Sequence, residues 1–121
     1  MVNQRHDYDG IRAIYFVRCK LKSILSNQDI SSMIHKLVEV LGLKAGRTEP
    51  MFYEYGQDEH LGILAVMPLV ESHMLFQVSA DVGILEIEIA HTSELQISGI
   101  NKVVLQHDKI SRIDGVWLHK M

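Results

Sequence analysis

"LGILAVMPLVESHMLFQVSADVGILEIEIA", residues 61–90, decides the fold. Three apolar runs stand in it, at 61–69, 73–79 and 84–90. The first is continuously apolar and reads as a central strand. The last sets Ile84, Ile87 and Ile89 against Glu86 and Glu88, the alternation of a strand with one buried and one wet face. The connectors are too short for crossover helices, so successive strands pair antiparallel.

Outward from this block, "IRAIYFVR" at 11–18 has the Ile, Tyr, Phe and Val content of a first strand. The next stretch, "SNQDISSMIHKLVEVLGLK", places Ile30, Met33, Ile34, Leu37, Val38 and Leu41 at helical spacing. Ser26 or Asn27 caps its start, Asp29 suits its first turn and Gly42 closes its end. A second strand is expected at 47–55, "RTEPMFYEY", with Gly56-Gln57-Asp58 as the turn after it. Residues 92–99 read as a short helix or turn. "KVVLQH" and "GVWLHK" read as two closing strands around a hairpin at 108–115. No linker or repeat divides the chain. The expectation is one α+β domain over 1–121, an antiparallel sheet with one main helix packed on a face as an α/β sandwich.

The 121 residues are 47% apolar and 22% charged, with a formal net charge of −3. Enough apolar surface is present for a core, and the acidic balance argues against a nucleic-acid partner. The one cysteine, Cys19, excludes an internal disulfide and suits a reducing compartment. No apolar run is long enough to span a bilayer, and "MVNQRHDYDG" lacks the apolar core of a signal peptide. The expected location is the cytoplasm, with no membrane partner. The seven histidines show no metal-ligand spacing, so no metal is expected.

Glu71-Ser72-His73 interrupts the apolar block with three groups able to do acid–base or acyl chemistry. Asp81, Gly83 and Glu88 follow at fixed spacing, and "YFVRCK" supplies Phe16 and Cys19 in the first strand. With these residues, over roughly 10–107, the chain resembles the bacterial S-adenosylmethionine decarboxylases, small pyruvoyl-dependent enzymes of similar length and strand–helix order. The resemblance implies that the Ser72 oxygen attacks the Glu71 carbonyl, the chain splits there, and Ser72 becomes a pyruvoyl group that forms a Schiff base with the substrate amine.

Three positions depart from the family pattern. Gln77 stands where the family has its processing histidine, and an amide cannot accept a proton at neutral pH. Thr92 replaces the proton-donor cysteine, and a hydroxyl is a far weaker acid than a thiol. Arg18 replaces an acid in the first strand and reverses a charge. His91 and Ser79 lie close by as substitutes.

A lyase acting on S-adenosylmethionine or a close derivative, without a pyruvoyl group or other cofactor, is therefore the first expectation. The sulfonium is already a good leaving group, and the methionine carboxylate can displace it to give methylthioadenosine and homoserine lactone. Small enzymes known from phages do this chemistry, which needs a shaped pocket and placed charge more than a nucleophile. Those lyases carry a second long helix before the last strand, and none is read here. Glu71 is expected to steady the sulfonium while Ser72 and His73 position the amino-acid moiety. Phe16, Arg18, Tyr53, Tyr55 and Gln77 are the expected substrate-binding residues. Glu86 and Glu88 read as a solvated strand face, Cys19 as a small buried residue and Trp117 as a packing or oligomer contact.

Two alternatives remain: a divergent pyruvoyl decarboxylase of S-adenosylmethionine or another amino acid, self-cleaved between Glu71 and Ser72, and a non-catalytic ligand-binding subunit. A sheet with one main helix leaves an apolar face for another copy, so a homo-oligomer, dimer or trimer, is expected.

Overall fold

A computed structural model of the chain describes residues 10–56 and 61–121. Residues 1–9, His60 and the expected turn residues Gln57 and Asp58 lie outside the described residues. The elements run β1 (Ala13–Leu21), α1 (Asn27–Val40), β2 (Met51–Tyr55), β3 (Gly62–Leu69), β4 (Ser72–Ser79), β5 (Ile84–His91), α2 (Ile97–Gln106) and β6 (Ile110–Lys120). The strands form one sheet in the order β2-β3-β4-β5-β1-β6. Every neighbouring pair is antiparallel, as the short connectors require. The α+β class is as expected, but two helices serve the core rather than one.

Strand alternation sorts the sheet into two faces. Tyr15, Val17 and Cys19 of β1, Ala65 and Met67 of β3, Met74, Phe76 and Val78 of β4, and Leu85, Ile87 and Ile89 of β5 are buried on one face. Ile30, Met33, Ile34 and Leu37 of α1 and Ile100, Val103 and Val104 of α2 close over it and join the same core. Each buried Val, Leu, Ile, Met or Phe side chain among them gains about 1.5–3 kcal/mol on leaving water. Burial pushes the Cys19 thiol up to about 12, with the Asp114 carboxylate adding to the effect.

α1 begins with a capping box. The Asp29 N–H donates to Ser26 Oγ at 3.1 Å, and the Ser26 N–H donates back to Asp29 Oδ2 at 2.8 Å. Lys109 Nζ donates to the same carboxylate at 2.7 Å and ties the helix start to the α2–β6 turn. Burial alone would raise the Asp29 carboxyl, but the Lys109 and Ser26 hydrogen bonds outweigh it and hold it at about 2. At the other end Gly42 takes a φ of +66°, and the Leu43 N–H reaches the Val38 carbonyl at 2.9 Å, closing the helix as glycine permits.

Three expected elements differ. Residues 47–50 are not strand. Pro50 lacks an N–H for the ladder, and the segment turns instead to α1, where Ser31 Oγ donates to Glu49 at 2.9 Å and His35 Nε2 donates to the Thr48 carbonyl at 2.8 Å. "KVVLQH" is the end of α2, not a strand. Its β-branched pair suggests extended backbone in isolation, yet Ile97, Ile100, Val103 and Val104 continue one helical stripe. The closing hairpin at 108–115 is absent, because β6 runs unbroken from Ile110. The register with β1 shifts between Arg18 and Cys19, which a bulge near Gly115 absorbs without reversing the chain.

Candidate functional site

The alternation that builds the core also separates Glu71, Ser72 and His73. β3 and β4 meet in a tight hairpin, with Leu69 paired to Ser72, which leaves Val70 and Glu71 as the turn. Ser72 shares the helix-side parity of Met74 and Phe76, whereas His73 shares the opposite parity with Leu75 and Gln77. Three consecutive residues therefore occupy a turn, one face and the other face.

The face away from the helices carries the more developed site. A groove of about 170 Å³ crosses the middle strands and is lined by Phe16, Leu64, Leu75, Gln77, Glu86 and Glu88. Register explains the convergence: Gln77 lies opposite Glu86, Leu75 opposite Glu88, Phe16 opposite Glu88 and Arg18 opposite Glu86. His73 Nε2 donates to Glu88 Oε2 at 2.7 Å, and the Glu88 side chain is only 27% exposed. Arg18 Nε lies 3.6 Å from Glu86 Oε2, with both side chains about half exposed. Gln77 Nε2 donates to the Tyr55 hydroxyl at 2.8 Å. The Tyr55 ring packs against Gly62, where any Cβ would overlap it, so the glycine creates the seat for the ring. Phe16 stays 40% exposed at the groove wall.

The hairpin corner is chemically different. Glu71 has φ +67°, the one non-glycine residue with positive φ among those described. That backbone costs a side chain about 1–2 kcal/mol. The adjacent Ser72 hydroxyl oxygen is buried without a hydrogen-bond partner. Glu71 lines a cavity of about 300 Å³ together with Lys44 and His91. Continuing the β4–β5 register one step sets His91 beside Ser72. His91 Nδ1 lies 3.2 Å from the Ser93 N–H and 3.1 Å from the Ser93 hydroxyl, so the turn after β5 holds the ring.

The structure thus brings together Phe16, Gln77 and His73, with Arg18 and Tyr55 at the margin. Tyr53, opposite Leu64 on β2, stands on the same face but is 56% exposed. Glu71 and Ser72 are not part of the groove. The residues that sequence reasoning passed over are Glu86 and Glu88. The signal was available: their parity on β5 matches that of Phe16 and Arg18 on β1 once the two strands pair. Among the described residues, no three His, Cys, Asp or Glu side chains group as metal ligands, and no helix is long and apolar enough to cross a membrane. No protein-family model matches the chain, and a search of curated proteins finds no match either.

Proposed function

We propose that the protein is a lyase acting on S-adenosylmethionine or a close derivative, and that the open-face groove holds the substrate. The observation that carries this reading is the placement of the Glu86 and Glu88 carboxylates beside the exposed Phe16 ring, with the Arg18 guanidinium next to them. An aromatic face and carboxylates attract a sulfonium, which keeps little hydration of its own. In the reaction the substrate carboxylate oxygen bonds to the carbon γ to it. The carbon–sulfur bond breaks, and its electron pair returns to sulfur. Methylthioadenosine and homoserine lactone leave, and no protein nucleophile is consumed. The groove contributes orientation and charge placement. Glu88 takes the role that the sequence suggested for Glu71, and α2 supplies a helix before the last strand, although a short one.

The test is to incubate the pure protein with S-adenosylmethionine and separate the products. Methylthioadenosine with homoserine lactone is the expected result. Binding without turnover would make the protein a ligand-binding subunit, and neither binding nor turnover would remove the reading.

The strained Glu71 and the unpartnered Ser72 hydroxyl favour a second reading, self-cleavage between these residues. The surroundings do not fit formation of a pyruvoyl group from Ser72. Gln77 faces the other side of the sheet, and His91 Nδ1 is turned to Ser93. The intact mass of the denatured protein separates the readings: one chain supports the lyase, and two fragments split before Ser72 support processing.

We also infer a homo-oligomer in the cytoplasm. Tyr53, Tyr55 and Trp117 are 43–56% exposed on the bare sheet face around the groove, where another copy can pack without filling it. Light scattering that returns a monomer would refute this.

A further inference from the structure

Arg18 and Glu86 are direct cross-strand partners, yet they make a poor ion pair. Nε stands 3.6 Å from the carboxylate, beyond hydrogen-bond range, and each side chain is about half exposed. A well-formed Arg–carboxylate pair uses two parallel N–H donors at shorter range. With about half of each side chain still exposed, both groups are accessible to a ligand, Glu86 in the groove lining and Arg18 beside it.

We propose that Arg18 and Glu86 form a clamp for the α-amino-acid head of the ligand, Glu86 taking the ammonium and Arg18 the carboxylate. This rests on the reading of the groove as the substrate site, and it narrows the substrate class to free α-amino acids with a second cationic centre in the side chain. The ammonium and carboxylate of an amino-acid head are carried by one carbon and lie side by side, as the two protein groups do across the strands. Inserting the head replaces one long contact by two charge-assisted hydrogen bonds. The second cation is placed by the strand repeat. Glu88 lies two residues from Glu86 on the same face, about 6.8 Å away along the strand. That spacing suits a positive centre a few methylenes from the α-carbon, with Phe16 opposite Glu88 to face it.

The clamp also bears on the chemistry. A guanidinium that holds one carboxylate oxygen can aim the other at the γ carbon, an alignment that lactone formation needs and decarboxylation does not.

Calorimetric titration of the intact protein with S-adenosylmethionine, its decarboxylated form and methylthioadenosine tests the clamp. Wild type should prefer S-adenosylmethionine over the decarboxylated form by at least tenfold. In Arg18→Gln the two should bind within twofold of each other, and Arg18→Lys should retain part of the preference. Glu86→Gln should weaken both amine-bearing ligands and leave methylthioadenosine unchanged. Equal binding of the two by wild type, or an intact preference in Arg18→Gln, overturns the clamp and leaves the lyase reading standing. No binding of any of the three probes overturns the lyase reading and the clamp with it.

Discussion

The groove on the open face and the hairpin corner share strand β4, yet they manage their polar groups in opposite ways. In the groove each charged group has a partner across the strands: His73 with Glu88 and Arg18 with Glu86. At the corner the Ser72 hydroxyl has none, and the backbone of Glu71 sits where glycine or asparagine is usual. Paired charges on a rigid sheet can be exchanged for a ligand's charges at little cost in fold. An orphaned hydroxyl beside a strained turn cannot be relieved by exchange, only by a change in the turn. The difference separates a face of paired, exchangeable charges from a corner where the backbone stores energy.

The largest effect expected is one that breaks the sheet on which the comparison rests. Phe76 is fully buried on the helix side, so Phe76→Ala should cost about 3–5 kcal/mol, seen as a lower denaturant midpoint. Its neighbour Leu75 lines the groove instead, and Leu75→Ala should shift the midpoint far less while weakening ligand binding. If both variants lose stability equally, the two faces are not distinct.

Next comes Glu88→Gln. It removes one charge of the groove and should reduce turnover about a hundredfold, on the order of 2.7 kcal/mol. Product release measured on folded protein checks this. Turnover like wild type would place the cation elsewhere.

A smaller change, remote from both regions, serves as a control. The Asp29 carboxyl is held at about 2 in the folded chain against an ordinary value of 3.8. A depressed carboxyl contributes stability above its unfolded value and loses it as pH falls. Wild type should therefore weaken between pH 4 and about 2, and Asp29→Asn should flatten that limb and lose about 1 kcal/mol at neutral pH. Thermal unfolding across the acid range would show it. Ligand affinity at neutral pH should not change.

The smallest effect tests the strain itself. Glu71→Gly removes the side chain from the positive-φ position, and the gain of about 1 kcal/mol is partly offset by glycine's greater unfolded-state freedom. A small rise in Tm with unchanged turnover is expected. Loss of turnover would return Glu71 to the site.

Much of this was legible in the sequence. Residues 61–90 specify three antiparallel strands because short connectors admit nothing else, and Ser26, Asp29 and Gly42 mark both ends of α1. "KVVLQH" misleads because its helical stripe begins earlier, at Ile97, and a six-residue window sees only the β-branched pair. Half of the candidate site was legible through Phe16, Arg18 and Gln77. Glu86 and Glu88 were not, because a charged strand face looks solvated until the register places His73, Arg18 and Phe16 across from it. Adjacency along the chain overstated the unity of Glu71, Ser72 and His73, since neighbours in a strand point to opposite faces.

The burial of Cys19 has a practical consequence. It is the chain's single thiol, fully enclosed on β1 and held protonated by a shift to about 12. A thiol-reactive dye can reach it only when β1 separates from the helices that cover it. The rate at which the native protein takes up such a dye is thus a clock for opening of the core. It needs no introduced label, and it would register whether a bound ligand on the far face of the sheet slows that opening.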